Sequence, residues 1–86
     1  MSDPTIGDLF KAKTITGDEV NAAVDVFMRD ATIFLFRFAS GHTLDVAAAV
    51  RANRHATAII IEPTAKDGGK RLAIRTAIML ARPVAP

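Results

Sequence analysis

The stretch from Thr57 to Arg82 limits most strongly what this chain can fold into. Thr57-Ala58-Ile59-Ile60-Ile61-Glu62-Pro63 is β-branched and stops at a proline. Thr64 to Arg71 is a Gly-rich run carrying Lys66, Lys70 and Arg71, and beyond it Leu72, Ile74, Ile78 and Leu80 occupy even positions, with Thr76 between them. This pattern predicts a β-hairpin with a basic tip. The competing reading of Lys70 to Ala81 is a helix, since its alanines and leucines are good helix formers. Against it, the four large aliphatics share one face of a strand but spread around a helical wheel. Asp67-Gly68-Gly69 supplies residues that tolerate positive φ, and Pro83 stops either element. A hairpin this apolar needs the rest of the chain to cover it.

Upstream, the clearest element starts at Thr16-Gly17-Asp18-Glu19, which matches a capping box. Val20, Ala23, Val24, Phe27 and Met28 follow at helical spacing, predicting an amphipathic helix from about Gly17 to Arg29. Residues 31–38 are rich in β-branched and aromatic side chains and end at Ser40-Gly41, which predicts a central strand buried on both faces. Arg37, near the exit of that run, is expected to snorkel or to pair with a carboxylate. Thr43 is the expected cap of a second helix from Leu44 to about Asn53, with Arg51 and Arg54 toward its negative end. Residues 5–13 fit either a short helix, through Ile6, Leu9 and Phe10, or a short edge strand around Leu9 to Ala12. With that segment as a strand, the expected fold class is α/β: a two-layer βαβαββ sandwich, a four-stranded mixed sheet with two helices on one face.

At 86 residues the chain is long enough for one domain, 1–86, with 1–4 and 83–86 expected to fray. Half of the residues are hydrophobic and only five are aromatic, so the core must be aliphatic. That apolar excess points to surface buried against a second copy, a homodimer. With no cysteine, disulfides, thiolate metal sites and thiol nucleophiles are excluded. The acidic N-terminus lacks an export signal and no apolar run reaches membrane-spanning length, so the expectation is a cytoplasmic protein without a membrane partner.

Catalytic patterns are missing from the sequence. His42 and His55 are not spaced with carboxylates as metal ligands or as partners of a nucleophile, and neither Gly41-His42-Thr43 nor Gly68-Gly69-Lys70 makes a phosphate loop. No enzyme, metal, cofactor or small-molecule substrate is expected. The net charge is only +2, yet residues 1–50 carry a surplus of acids and 51–86 a surplus of bases. The cations on predicted loops are Lys11 and Lys13 before the first helix, His42 before the second, and Lys66, Lys70 and Arg71 on the hairpin tip. In the predicted topology the first two loops open at helix N-termini on one sheet edge, a place suited to phosphate oxygens. The basic hairpin could then follow a nucleic-acid backbone. These six residues are the candidate nucleic-acid-binding set. Basic loop tips also serve solubility alone.

Several strings together resemble the Alba superfamily of small dimeric nucleic-acid-binding proteins, including its bacterial branch represented by stage V sporulation protein S. They are Phe10-Lys11-Ala12-Lys13 followed by Val20-Asn21-Ala22-Ala23-Val24, Phe38-Ala39-Ser40-Gly41-His42-Thr43-Leu44, and Lys66-Asp67-Gly68-Gly69-Lys70-Arg71 with the last predicted strand. The resemblance implies a homodimer that contacts duplex DNA or RNA with little sequence specificity. Lys11 and Lys13 would be the loop lysines, His42 would stand in a position often held by arginine, and Lys70 and Arg71 would lie on the arm. The chain departs from the family pattern at Ser40 and His42, which replace flanking arginines, and at Ala12, which separates the lysines. The alternative function is a protein–protein interaction module using an apolar sheet or hairpin edge. A small-molecule sensor would require a ligand-sized pocket.

Overall fold

The computed structural model describes residues 4–30, 32 and 35–85. They form five helices and one two-stranded ribbon: α1 (Ile6–Lys11), α2 (Gly17–Arg29), β1 (Phe36–Arg37), β2 (Thr43–Leu44), α3 (Val46–Ala52), α4 (Arg54–Ile61) and α5 (Asp67–Leu80). With 61% of the described residues helical, the predicted four-stranded α/β sandwich, and with it the Alba-like fold, is overturned. Among the described residues no helix is long and apolar enough to cross a membrane.

The expected hairpin at 57–82 is instead α4, a turn at Pro63-Thr64, and α5. Its deciding feature is alanine. Ala73, Ile74, Ala77 and Ile78 are all buried, and that i, i+1, i+4, i+5 stripe belongs to a helix. Leu72 and Leu80, which a strand would have placed on the same face as Ile74 and Ile78, are exposed. Gly68 and Gly69 lie in the first helical turn without positive φ. Residues 5–13 are helical as well: Thr5 accepts from the Asp8 amide at 3.1 Å while the Asp8 carboxylate accepts from the Thr5 amide at 3.0 Å. This is a capping box with Asp in the place of Glu, so the edge-strand alternative falls.

The α2 expectation holds in bounds and cap, Glu19 donating its amide to Thr16 Oγ1 at 3.2 Å. Of the strand expected at 31–38, positions 31, 33 and 34 lie outside the described residues; what pairs is Phe36 with Leu44 and Arg37 with Thr43. Gly41, at φ 93, makes the turn between them, where an L side chain would be strained. Arg37 is exposed. Thr43 is therefore in β2, and Asp45 caps α3 through the Ala48 amide at 3.0 Å. Asn53 ends α3 and its side chain caps α4 through the Ala56 amide at 2.9 Å.

At the centre lies α5, packed against each of the other four helices. Ile6, Ile15, Val20, Val24, Val46, Ile74 and Ile78 are the largest fully buried side chains, all in one cluster. Each such aliphatic contributes roughly 1.5–3 kcal/mol of burial. Along α5, α1 runs antiparallel. The Ile6 amide donates to the Ala81 carbonyl at 2.8 Å, and a turn later the Arg75 guanidinium sits 5.9 Å from the centroid of the Phe10 ring. The tail docks through Val84, which exchanges two backbone bonds with Thr43 at 2.8 and 3.0 Å, and Pro83 is buried.

Candidate functional site

The six predicted cations lie on three parts of the chain: the end of α1, the β1–β2 turn and the start of α5. Lys11 is exposed in the last turn of α1, and Lys13 follows it at φ 64. The Lys13 amide donates to the Phe10 carbonyl at 3.0 Å and the Thr14 amide to the Leu9 carbonyl at 2.9 Å. That pair of bonds is a Schellman closure with lysine in the left-handed position usually held by glycine. Lys66 is the N-cap of α5, with no capping bond from its side chain, and Lys70 is half-buried in the same helix. Arg71 is paired with Asp25, joining α5 to α2. His42 lies elsewhere. Its Nδ1 is 2.7 Å from Ser40 Oγ, and with Arg82, Pro83 and Val84 it lines a hollow of about 340 Å³.

Thus Lys66, Lys70 and Arg71 share the N-terminal part of α5, while His42 stands beyond its C-terminal end. A helix of 14 residues separates them by about 21 Å. The sheet edge that would have aligned the loops is not part of the fold, and the guanidiniums of Arg71 and Arg75 are engaged within the chain, by Asp25 and by the Phe10 ring.

Among the described residues two carboxylates are held below their ordinary value, and both lie at helix ends. Asp8 is held below its ordinary value of 3.8, first by the Thr5 backbone and side-chain hydrogen bonds and then by the charges of Lys11 and Arg82. Asp30 is held below the same value by the Thr32 hydroxyl and amide. Their causes are local hydrogen bonds at helix ends, so these shifts mark caps rather than a reacting centre. Among the described residues no three His, Asp or Glu side chains are grouped to hold a metal ion.

A groove runs between α3 and the C-terminal half of α5. It consists of two adjoining hollows of about 290 and 440 Å³ that share Ala49, Ala52, Leu80 and Ala81. The first extends to Asn53 and Ala77, the second to Asp45, Ala48, Arg82 and Val84. Two pairs at i, i+4 spacing, Ala48 with Ala52 and Ala77 with Ala81, leave shallow walls on facing helices. Above them Leu80 and Val84 project, 64% and 69% exposed. Asp45 and Arg82 are the charged residues of the lining, the first also capping α3. Alanine, leucine and valine provide shape and apolar area but no reacting group, so the groove is suited to binding.

The sequence reading takes the alanines of residues 70–81 as helix formers and does not pair them with those of α3. The signal was their i, i+4 repetition in two segments, which becomes a groove only once α3 is known to lie on α5. The chain matches no protein-family model, no curated protein and no solved structure.

Proposed function

We propose that this chain is a non-enzymatic protein-interaction module that assembles as a homodimer through the α3–α5 groove. The observation that carries this reading is the groove's self-complementarity: it has small-residue hollows at Ala49 and Ala52 and exposed knobs at Leu80 and Val84 on one face. A two-fold arrangement seats each Leu80 in the other copy's alanine hollow, the isologous packing common in dimers. Alanine walls let helices approach to about 8 Å. A stable interface takes roughly 800 Å² from each partner, about one seventh of the 5556 Å² surface of this chain, which a groove face of this kind with its rim can supply.

A phosphate-binding role has less support, because His42 stands beyond the opposite end of α5 from Lys66, Lys70 and Arg71, and Arg71 already has a carboxylate partner. Sedimentation equilibrium from low to high micromolar concentration tests the proposal. The expected result is a monomer–dimer equilibrium that Leu80→Glu and Ala52→Trp each shift to monomer, with the helical circular dichroism kept. A monomer at every concentration, or a dimer indifferent to both substitutions, would refute it.

A further inference from the structure

A second concavity, separate from the groove, lies where the end of α2 meets α3 and α4. It measures about 240 Å³, and Phe27, Ala47, Val50, Ile60 and Ile61 form its apolar lining. Phe27, Ala47 and Val50 are buried, whereas Ile61 at the mouth is 74% exposed. The lining has two polar side chains. Thr57 is committed inward, its one hydroxyl hydrogen shared between the Val50 and Asn53 carbonyls at 3.2 and 3.0 Å. The other is Arg51, in the last turn of α3, which forms no ion pair among the described residues. Its place at a helix C-terminus accounts for the charge being tolerated there, but uses none of its guanidinium donors.

We propose that this cavity binds a small single-chain amphiphile with a carboxylate head, of the size of a medium-chain fatty acid. The walls accept a chain and have no free donor or acceptor for a polar body, and Arg51 at the rim offers the two-pronged geometry that a carboxylate matches. The cavity is smaller than the roughly 300 Å³ at which sites for drug-sized ligands begin, which sets the ligand's size. Because Arg51 is exposed, the head group contributes selectivity while chain burial supplies most of the affinity.

The test is an amide chemical-shift titration of the full chain with octanoate, hexanoate, butyrate and octanol. Octanoate is expected to give saturable shifts centred on Phe27, Val50, Thr57 and Ile60, with affinity rising about fourfold for each methylene the pocket covers. Octanol is expected to bind up to roughly fivefold more weakly than octanoate, and Arg51→Gln to remove that difference without changing octanol binding. Ala47→Leu, which fills the cavity, should abolish both. Shifts that never saturate, shifts centred on the α3–α5 groove, or octanoate binding that Arg51→Gln leaves unchanged would overturn the assignment.

Discussion

Replacing Gly68 and Gly69 together by alanine distinguishes the helix at 67–80 from a glycine turn at the same place. Both residues are in the first turn of α5, neither has positive φ, and a Cβ added at either meets nothing within 4 Å. In a helix interior alanine is favoured over glycine by about 0.8–1.0 kcal/mol. The second and third positions of the helix lack part of that constraint, so about 0.5 kcal/mol each is a fair expectation, or about 1 kcal/mol for the pair. For a domain of this size that corresponds to a Tm rise of about 4–8 °C. Gly7 is the contrast: a Cβ there would stand 3.1 Å from the Met79 carbonyl oxygen of α5, which the Ile6–Ala81 backbone bond holds close. Gly7→Ala should therefore gain less than its helix propensity suggests, or lose stability. Thermal melts followed at 222 nm measure all three substitutions. A fall in Tm for the Gly68→Ala, Gly69→Ala double variant would mean that these glycines need positive φ, and the α5 argument would fail with it.

Lys13→Gly should stabilise the chain by roughly 0.5–1 kcal/mol in urea unfolding, since lysine bears the left-handed cost at φ 64 and glycine does not. A double-mutant cycle on Asp25 and Arg71, which are 49% and 41% exposed, should give a coupling of about 0.2–1 kcal/mol that shrinks with added salt; a larger, salt-insensitive value would contradict a half-solvated pair. For Asp8, the folded carboxyl titrates below its ordinary 3.8, so the unfolded chain takes up this proton first as pH falls. Its stabilising contribution is then complete above pH 3.8 and is lost as pH drops through the lower folded value. A carboxyl-carbon titration with a midpoint at or above 3.8 would refute that direction, and Asp8→Asn should flatten the acid limb below it.

How far the fold could be read from sequence depended on which residues announced each element. Thr16 and Glu19 bracket a cap, and Val20, Ala23, Val24 and Phe27 mark a stripe that only a helix can bury, so α2 was legible to its ends. In α5 the same kind of stripe was present but two of its four members are Ala73 and Ala77, small enough to be taken as filler. The eye then follows Leu72, Ile74, Ile78 and Leu80, whose even spacing imitates a strand. Leu72 and Leu80 are exposed, and the Thr76 hydroxyl bonds back to the Leu72 carbonyl at 3.0 Å, as a helix permits. At α1 the cap was hidden by a shorter acid, since Asp8 performs the part that Glu19 performs in α2.

The sites were less legible than the helices, and for a different reason. Loop cations can be found in a sequence, but their joint meaning came from an assumed sheet edge that would have brought Lys11, Lys13 and His42 to one side. Once residues 57–82 fold as α4 and α5, His42 turns with Ser40 toward the C-terminal tail, and Arg71 closes on Asp25. The groove presents the converse difficulty. Ala48 and Ala52 are unremarkable in α3, as are Ala77 and Ala81 in α5, and no periodicity within either helix says that they face each other. Only packing between segments about thirty residues apart turns two alanine pairs into a hollow, with Leu80 and Val84 above it. A reading that weights charge finds the first set and passes over the second. The physical test is instead which large apolar side chains the folded chain leaves exposed beside a hollow, and Leu80 and Val84 meet it.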